Sequence, residues 1–146
     1  MTSEAITMDA KGMLGILLAC VLNLSMVVLA VFDSQSFSWI FPIMTTTVGA
    51  IVGSSGVPKF EYRNTSWKRA RQYRREGLSI GILAGILSAI LVLAYSSLAH
   101  PEAFAGTSGS LYAIYIGLFY MIPSVVGGFF GGEIQGSIRG YMVQTT

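Results

Sequence analysis

The sequence predicts an all-α membrane protein, a four-transmembrane-helix bundle made of two helical hairpins. Three observations predict it. Of the 146 residues 53% are hydrophobic and only 11% charged, with a mean hydropathy of +0.64. A soluble domain carries about 25% charged residues to wet its surface, so the natural solvent of this chain is lipid. Residues 12–32, 37–55, 78–99 and 111–132 contain no charged side chain. Each run approaches or exceeds the roughly 20 residues a helix needs to cross a ~30 Å hydrocarbon core. The third observation is the segment at 56–77, GVPKFEYRNTSWKRARQYRREG, which holds seven of the nine basic residues. It divides the spans into two pairs within a single integral domain covering 1–146.

The first apolar run follows a short polar lead ending in Lys11. At 21 residues it exceeds the 7–15-residue core of a cleavable signal, so it is expected to stay as a span. Cys20 is the only cysteine, which excludes an internal disulfide and reads as a buried thiol. Asp33-Ser34-Gln35-Ser36 makes a short polar turn, so spans one and two should be antiparallel neighbours. The second span opens with Phe37, Trp39, Phe41 and Pro42. Aromatic rings favour the lipid–water boundary, and proline is tolerated where a first helical turn needs no donor.

Gly56-Val57-Pro58 should stop the second span. Asn64-Thr65-Ser66 offers side-chain oxygens to cap a new helix. Nothing from Trp67 to Glu76 breaks a helix, so a basic helix over 66–76 is expected to run into the third span, which ends at His100-Pro101. Residues 101–110 read as a Gly/Ser/Ala-rich loop. The fourth span starts at Leu111, carries Pro123, which is expected to kink it, and ends near Gly140.

Placing both termini in the cytoplasm puts all nine positive charges on one side, as the positive-inside bias requires. A multi-pass protein of the plasma membrane is expected. The acceptor pattern Asn64-Thr65-Ser66 then lies in the cytoplasm, unmodified. The two hairpins also look alike, as a parallel internal repeat: Pro42…Gly49…Gly53 in one is matched by Pro123…Gly128…Gly132 in the other.

Small residues recur every fourth position. Gly77, Gly81, Gly85 and Ala89 mark the third span, and Ser124, Gly128, Gly132, Gly136 and Gly140 the fourth. Four-residue steps place them on one helix face. In lipid, close backbone approach replaces the hydrophobic drive, and small residues allow it. The ladders are expected to pack the bundle, with surplus glycine surface left for a homo-oligomer or a larger membrane complex.

Asn23, Thr45, Thr46, Thr47, Ser88, Tyr120 and Ser124 all fall near the span centres. Of this polar layer Asn23, Thr46, Ser88 and Ser124 are the leading candidates. It serves either interhelical hydrogen bonding or a small-solute pathway. No ionisable group shares the layer, whereas proton and ion relays usually need one. Glu133, at the basic end of the fourth span, is expected either to pair with Arg75 or Arg139 or to reach the headgroup region. His100 and Glu102 are too few for a metal site. No phosphate loop, nucleophile triad or acid pair is present, so neither a cofactor nor enzymatic chemistry is expected. Lys68, Arg69, Arg71, Arg74 and Arg75 are read first as a topological anchor and second as contacts for anionic lipid. No nucleic-acid partner is expected.

Tyr73-Arg74-Arg75-Glu76-Gly77…Gly81…Gly85, with Gly127-Gly128…Gly131-Gly132…Gly136, resembles small glycine-rich four-span membrane proteins of archaea and other prokaryotes. That resemblance implies a four-span fold and no particular activity. The four-span mitochondrial import translocases are similar in helix count and glycine spacing, but their loop signature is not evident, so no function follows from them. The sequence therefore points to a non-enzymatic membrane protein, structural or accessory in a larger assembly, with a small channel or permease as the alternative.

Overall fold

The computed structural model describes residues 10–30, 40–55 and 66–144. They form helices α1 (Ala10–Ala30), α2 (Ile40–Ser54), α3 (Ser66–Ala99) and α4 (Thr107–Gln144), with a short 3-10 turn at Pro101–Phe104. The Asp33–Ser36 turn, the aromatic opening at Phe37 and Trp39, the Gly56–Pro58 stop and the capping Asn64 lie outside the described residues. α1, α3 and α4 are long and apolar enough to cross a membrane, while α2 is shorter at 15 residues. At 1.5 Å per residue α2 measures about 22 Å.

α1 and α3 run parallel, and α2 and α4 run parallel to each other in the opposite sense. α2 and α3 each touch the other three helices, while α1 and α4 do not meet among the described residues. Pro42, Thr45, Thr46, Gly49, Ala50, Gly53 and Ser54 of α2 are all buried. This packing supports a helix whose length alone is marginal for lipid. Pro42 sits in the first turn of α2, where its missing donor is harmless. Pro123 is buried within α4, which stays one helix on both sides of it.

Each hairpin closes along a seam of small residues, and the two seams share one geometry. A Cβ added at Gly15 would stand on the Gly49 carbonyl and 2.8 Å from Gly53 Cα. One added at Gly77 would stand on the Gly128 carbonyl and 2.7 Å from Gly132 Cα. One turn on, Ala19 meets Gly49 as Gly81 meets Gly128 and Ser124. Two turns on, Asn23 meets Thr45 where Gly85 meets Ser124. The glycines therefore align as the repeat predicts. The prolines do not: Pro42 lies seven residues before Gly49 and Pro123 five before Gly128, so they fall at different levels of the two seams.

One expected boundary holds and another moves. α3 is continuous from Ser66, so the basic helix and the third span are one element. The loop expected over 101–110 is mostly ordered structure, and α4 starts at Thr107 rather than Leu111. Gly106, at φ +77°, makes the turn between the 3-10 segment and α4, a left-handed conformation that costs a residue with a Cβ 1–2 kcal/mol in order of magnitude. The Phe104 backbone then lies against Gly109, and its ring meets Tyr112 edge-on, with ring centroids 5.2 Å apart. The Thr-Ser-Gly-Ser composition signals a loop, yet it also suits the polar first turn of a helix.

The apolar core has two parts. Ile16, Ala19, Cys20, Ala50, Ile80 and Ala84 pack towards the basic end. Val27, Ala89, Val92, Ile116, Phe119 and Tyr120 pack towards the opposite end. Between them lies the polar layer. Large aliphatic side chains such as Leu17, Ile90, Ile114 and Leu118 point outwards, the inverse of a soluble protein and the arrangement a lipid solvent rewards.

Candidate functional site

The polar layer is a buried node tied by hydrogen bonds that together reach all four helices. Asn23, Thr46, Ser88 and Ser124 are each at most 1% exposed. The Thr45 hydroxyl donates to Asn23 Oδ1. Asn23 Nδ2 donates to Ser88 Oγ at 3.0 Å. Ser88 Oγ lies 3.6 Å from Cys20 Sγ, and Cys20 Sγ 3.7 Å from the Ala84 carbonyl. A run of donors thus passes from α2 through α1 to α3 and ends on a backbone acceptor. Beside it Thr46 Oγ1 donates to Ser124 Oγ at 3.1 Å and ties α2 to α4. Thr47 donates to the Ile43 carbonyl of its own helix at 2.7 Å.

The structure brings Asn23, Thr45 and Ser88 together and gives Thr46 and Ser124 to each other. It leaves Tyr120 out: its ring lies in the apolar cluster, 5.3 Å from Phe119. Cys20 is the member the sequence did not single out. Its place three residues before Asn23, on the same helix face, is the signal that could have found it.

Small residues make the node possible. Helices that carry glycine at the seams approach until side chains as short as serine and threonine meet across the interface. Gly81 and Gly85 bring α3 onto Ser124, and Gly127 brings α4 onto Ile43 and Thr46 of α2. Gly77, Gly81, Gly85, Gly128 and Gly132 are all buried against the facing helix of their own hairpin, and Gly136 lies under the Tyr73 ring.

At the basic end the positive charges divide by role. Arg74 forms the ion pair with Glu133 and stands over the Phe129 ring, 5.3 Å from its centroid. This replaces the expected pairing of Glu133 with Arg75 or Arg139. Tyr73, buried against Gly132 and Gly136, fixes this face of α3 towards α4, so the next residue leaves beside Glu133. Arg75 is about 100° further round the helix and points away. Arg139 instead donates to the Ser55 carbonyl at 2.7 Å, satisfying an acceptor just past the end of α2. Arg71 and Arg75 are exposed. The side chains of Lys68 and Arg69 lie outside the described residues.

His100 Nδ1 stands 3.4 Å from Glu102 on the surface. Among the described residues no three His, Cys, Asp or Glu side chains gather as a metal-binding group. Comparison with family models, with curated proteins and with solved structures yields no significant match to this chain. The resemblance to small glycine-rich four-span proteins rests on the quoted residues alone.

Proposed function

We propose that the chain is a non-catalytic, architectural membrane subunit, a rigid bundle with both termini on the cytoplasmic side of the plasma membrane. α2 counts as a fourth crossing in this reading. The observation that carries it is the polar layer closed on itself. Its hydroxyls and the Asn23 amide bond to one another or to backbone carbonyls, and its leading members are buried almost completely. A pathway needs polar atoms free to exchange partners with a passing solute, and buried groups already paired must first break those bonds.

The ladders bear on the partner. Gly77, Gly81, Gly85, Gly128 and Gly132 are used inside the chain, so a homo-oligomer or larger complex would form through the lipid-facing aliphatic surface or the basic end. Copurification from native membranes, read by mass in mild detergent, tests this reading: a stable complex with fixed stoichiometry is expected. A monomer throughout, together with proteoliposomes that pass a small solute and lose that flux on Asn23→Ala substitution, would overturn it and favour a permease.

A further inference from the structure

We infer that the exposed face of the α3 basic segment is a docking surface for the headgroups of anionic phospholipid, formed by Arg71 and Arg75 and not by Arg74. The inference rests on the membrane reading and adds a partner of defined chemistry to it. Arg71, Arg75, Ser79, Ile82, Ile86 and Ile90 follow one another at steps of three and four residues, and all are exposed. Such steps keep them on one side of the helix. The side that offers Ile82, Ile86 and Ile90 to acyl chains therefore carries two guanidinium groups where it leaves the hydrocarbon. Arg75 lies seven residues before Ile82, about 10 Å along the axis, and Arg71 one turn beyond. That is the depth of the headgroup layer when the isoleucines face lipid.

Neither Arg71 nor Arg75 makes an ion pair among the described residues. The bundle spends its other described arginines internally: Arg74 on Glu133 and Phe129, Arg139 on the Ser55 carbonyl. Guanidinium groups match phosphate oxygens in a bidentate fork, and their aliphatic stems lie along apolar surface while the charge reaches outward. Lys68, three residues before Arg71, continues the run of basic residues in the sequence. A phosphodiester with net negative charge satisfies both arginines; a zwitterionic headgroup brings its own cation.

Native mass spectrometry of the full chain, titrated in detergent with phosphatidylglycerol or with phosphatidylcholine of the same acyl chains, tests the surface. Wild type should retain phosphatidylglycerol preferentially. At the energy typical of one basic residue at an anionic surface, Arg71→Gln or Arg75→Gln should each weaken that retention about fivefold, and the double variant about 30-fold. Arg74→Gln should leave it within about twofold. The pair Arg71→Lys and Arg75→Lys keeps the charge and should keep most of the binding, which separates lost contact from lost folding. Equal retention of the two lipids by wild type, or a loss on Arg74→Gln as large as that of the double variant, would overturn the inference. A chain that took up neither lipid would instead count against the membrane reading itself.

Discussion

At the residue scale the molecule depends on a few polar atoms in an apolar interior. Asn23 is the hinge of the node, accepting from Thr45 and donating to Ser88. Interhelical hydrogen bonds in membranes are worth about 0.6 kcal/mol each on average and up to about 1.7. Asn23→Leu should therefore cost on the order of 1–2 kcal/mol, read as reversible unfolding in bicelles. Thr46→Val removes one bond of the pair with Ser124 and should cost about half as much. Equal stability of Asn23→Leu and wild type would show that the node contributes specificity of pairing and no net energy. The layer itself was legible because Asn, Thr and Ser stand out in an apolar run. Which partner each takes was not, since that depends on the rotation of helices about their axes. Glu133 makes the same point: the sequence offered Arg75 and Arg139, and the packing of Tyr73 on Gly132 and Gly136 selected Arg74.

At the element scale the small-residue seams decide how closely helices pack. At Gly77 an added Cβ would press on backbone, the Gly128 carbonyl and Gly132 Cα, which cannot move without separating the helices. At Gly117 nothing lies within 4 Å. Gly77→Ala should thus destabilise by about 1–3 kcal/mol, the usual cost of overpacking. Gly117→Ala should be neutral or slightly stabilising through helix propensity. Thermal unfolding of the two variants side by side checks the contrast, and similar losses in both would refute the seam. Gly106→Ala should cost about 1–2 kcal/mol because its positive φ is strained for alanine. Helix type and number followed from length and hydropathy. The extension of α4 back to Thr107 did not, because serine, threonine and glycine are common to loops and to helix starts.

At the scale of the whole molecule the four helices bring Lys11, Arg71, Arg74, Arg75 and Arg139 towards one end of the bundle. If these charges set orientation, replacing Lys68, Arg69, Arg71, Arg74 and Arg75 together by glutamine should give mixed insertion, read by labelling of cysteines introduced at the two ends. Unchanged topology would mean that the hairpins insert by their hydrophobic lengths alone. The hairpins are also unequal. Among the described residues α3 and α4 have 34 and 38 residues against 21 and 15 for α1 and α2, so the second hairpin outreaches the first there.

The Thr46–Ser124 bond has a consequence in time. Its partners lie 78 residues apart, and Ser124 belongs to the last helix made. While the chain is being synthesised, α2 finds Asn23 already available to Thr45 but Ser124 not yet available to Thr46. The tie between α2 and α4 therefore forms only when synthesis is nearly complete. Nascent chains stalled before α4 emerges should leave a cysteine placed at position 46 open to a membrane-permeant reagent, and full-length chains should protect it. Equal protection at both stages would mean that position 46 is already covered within the first three helices.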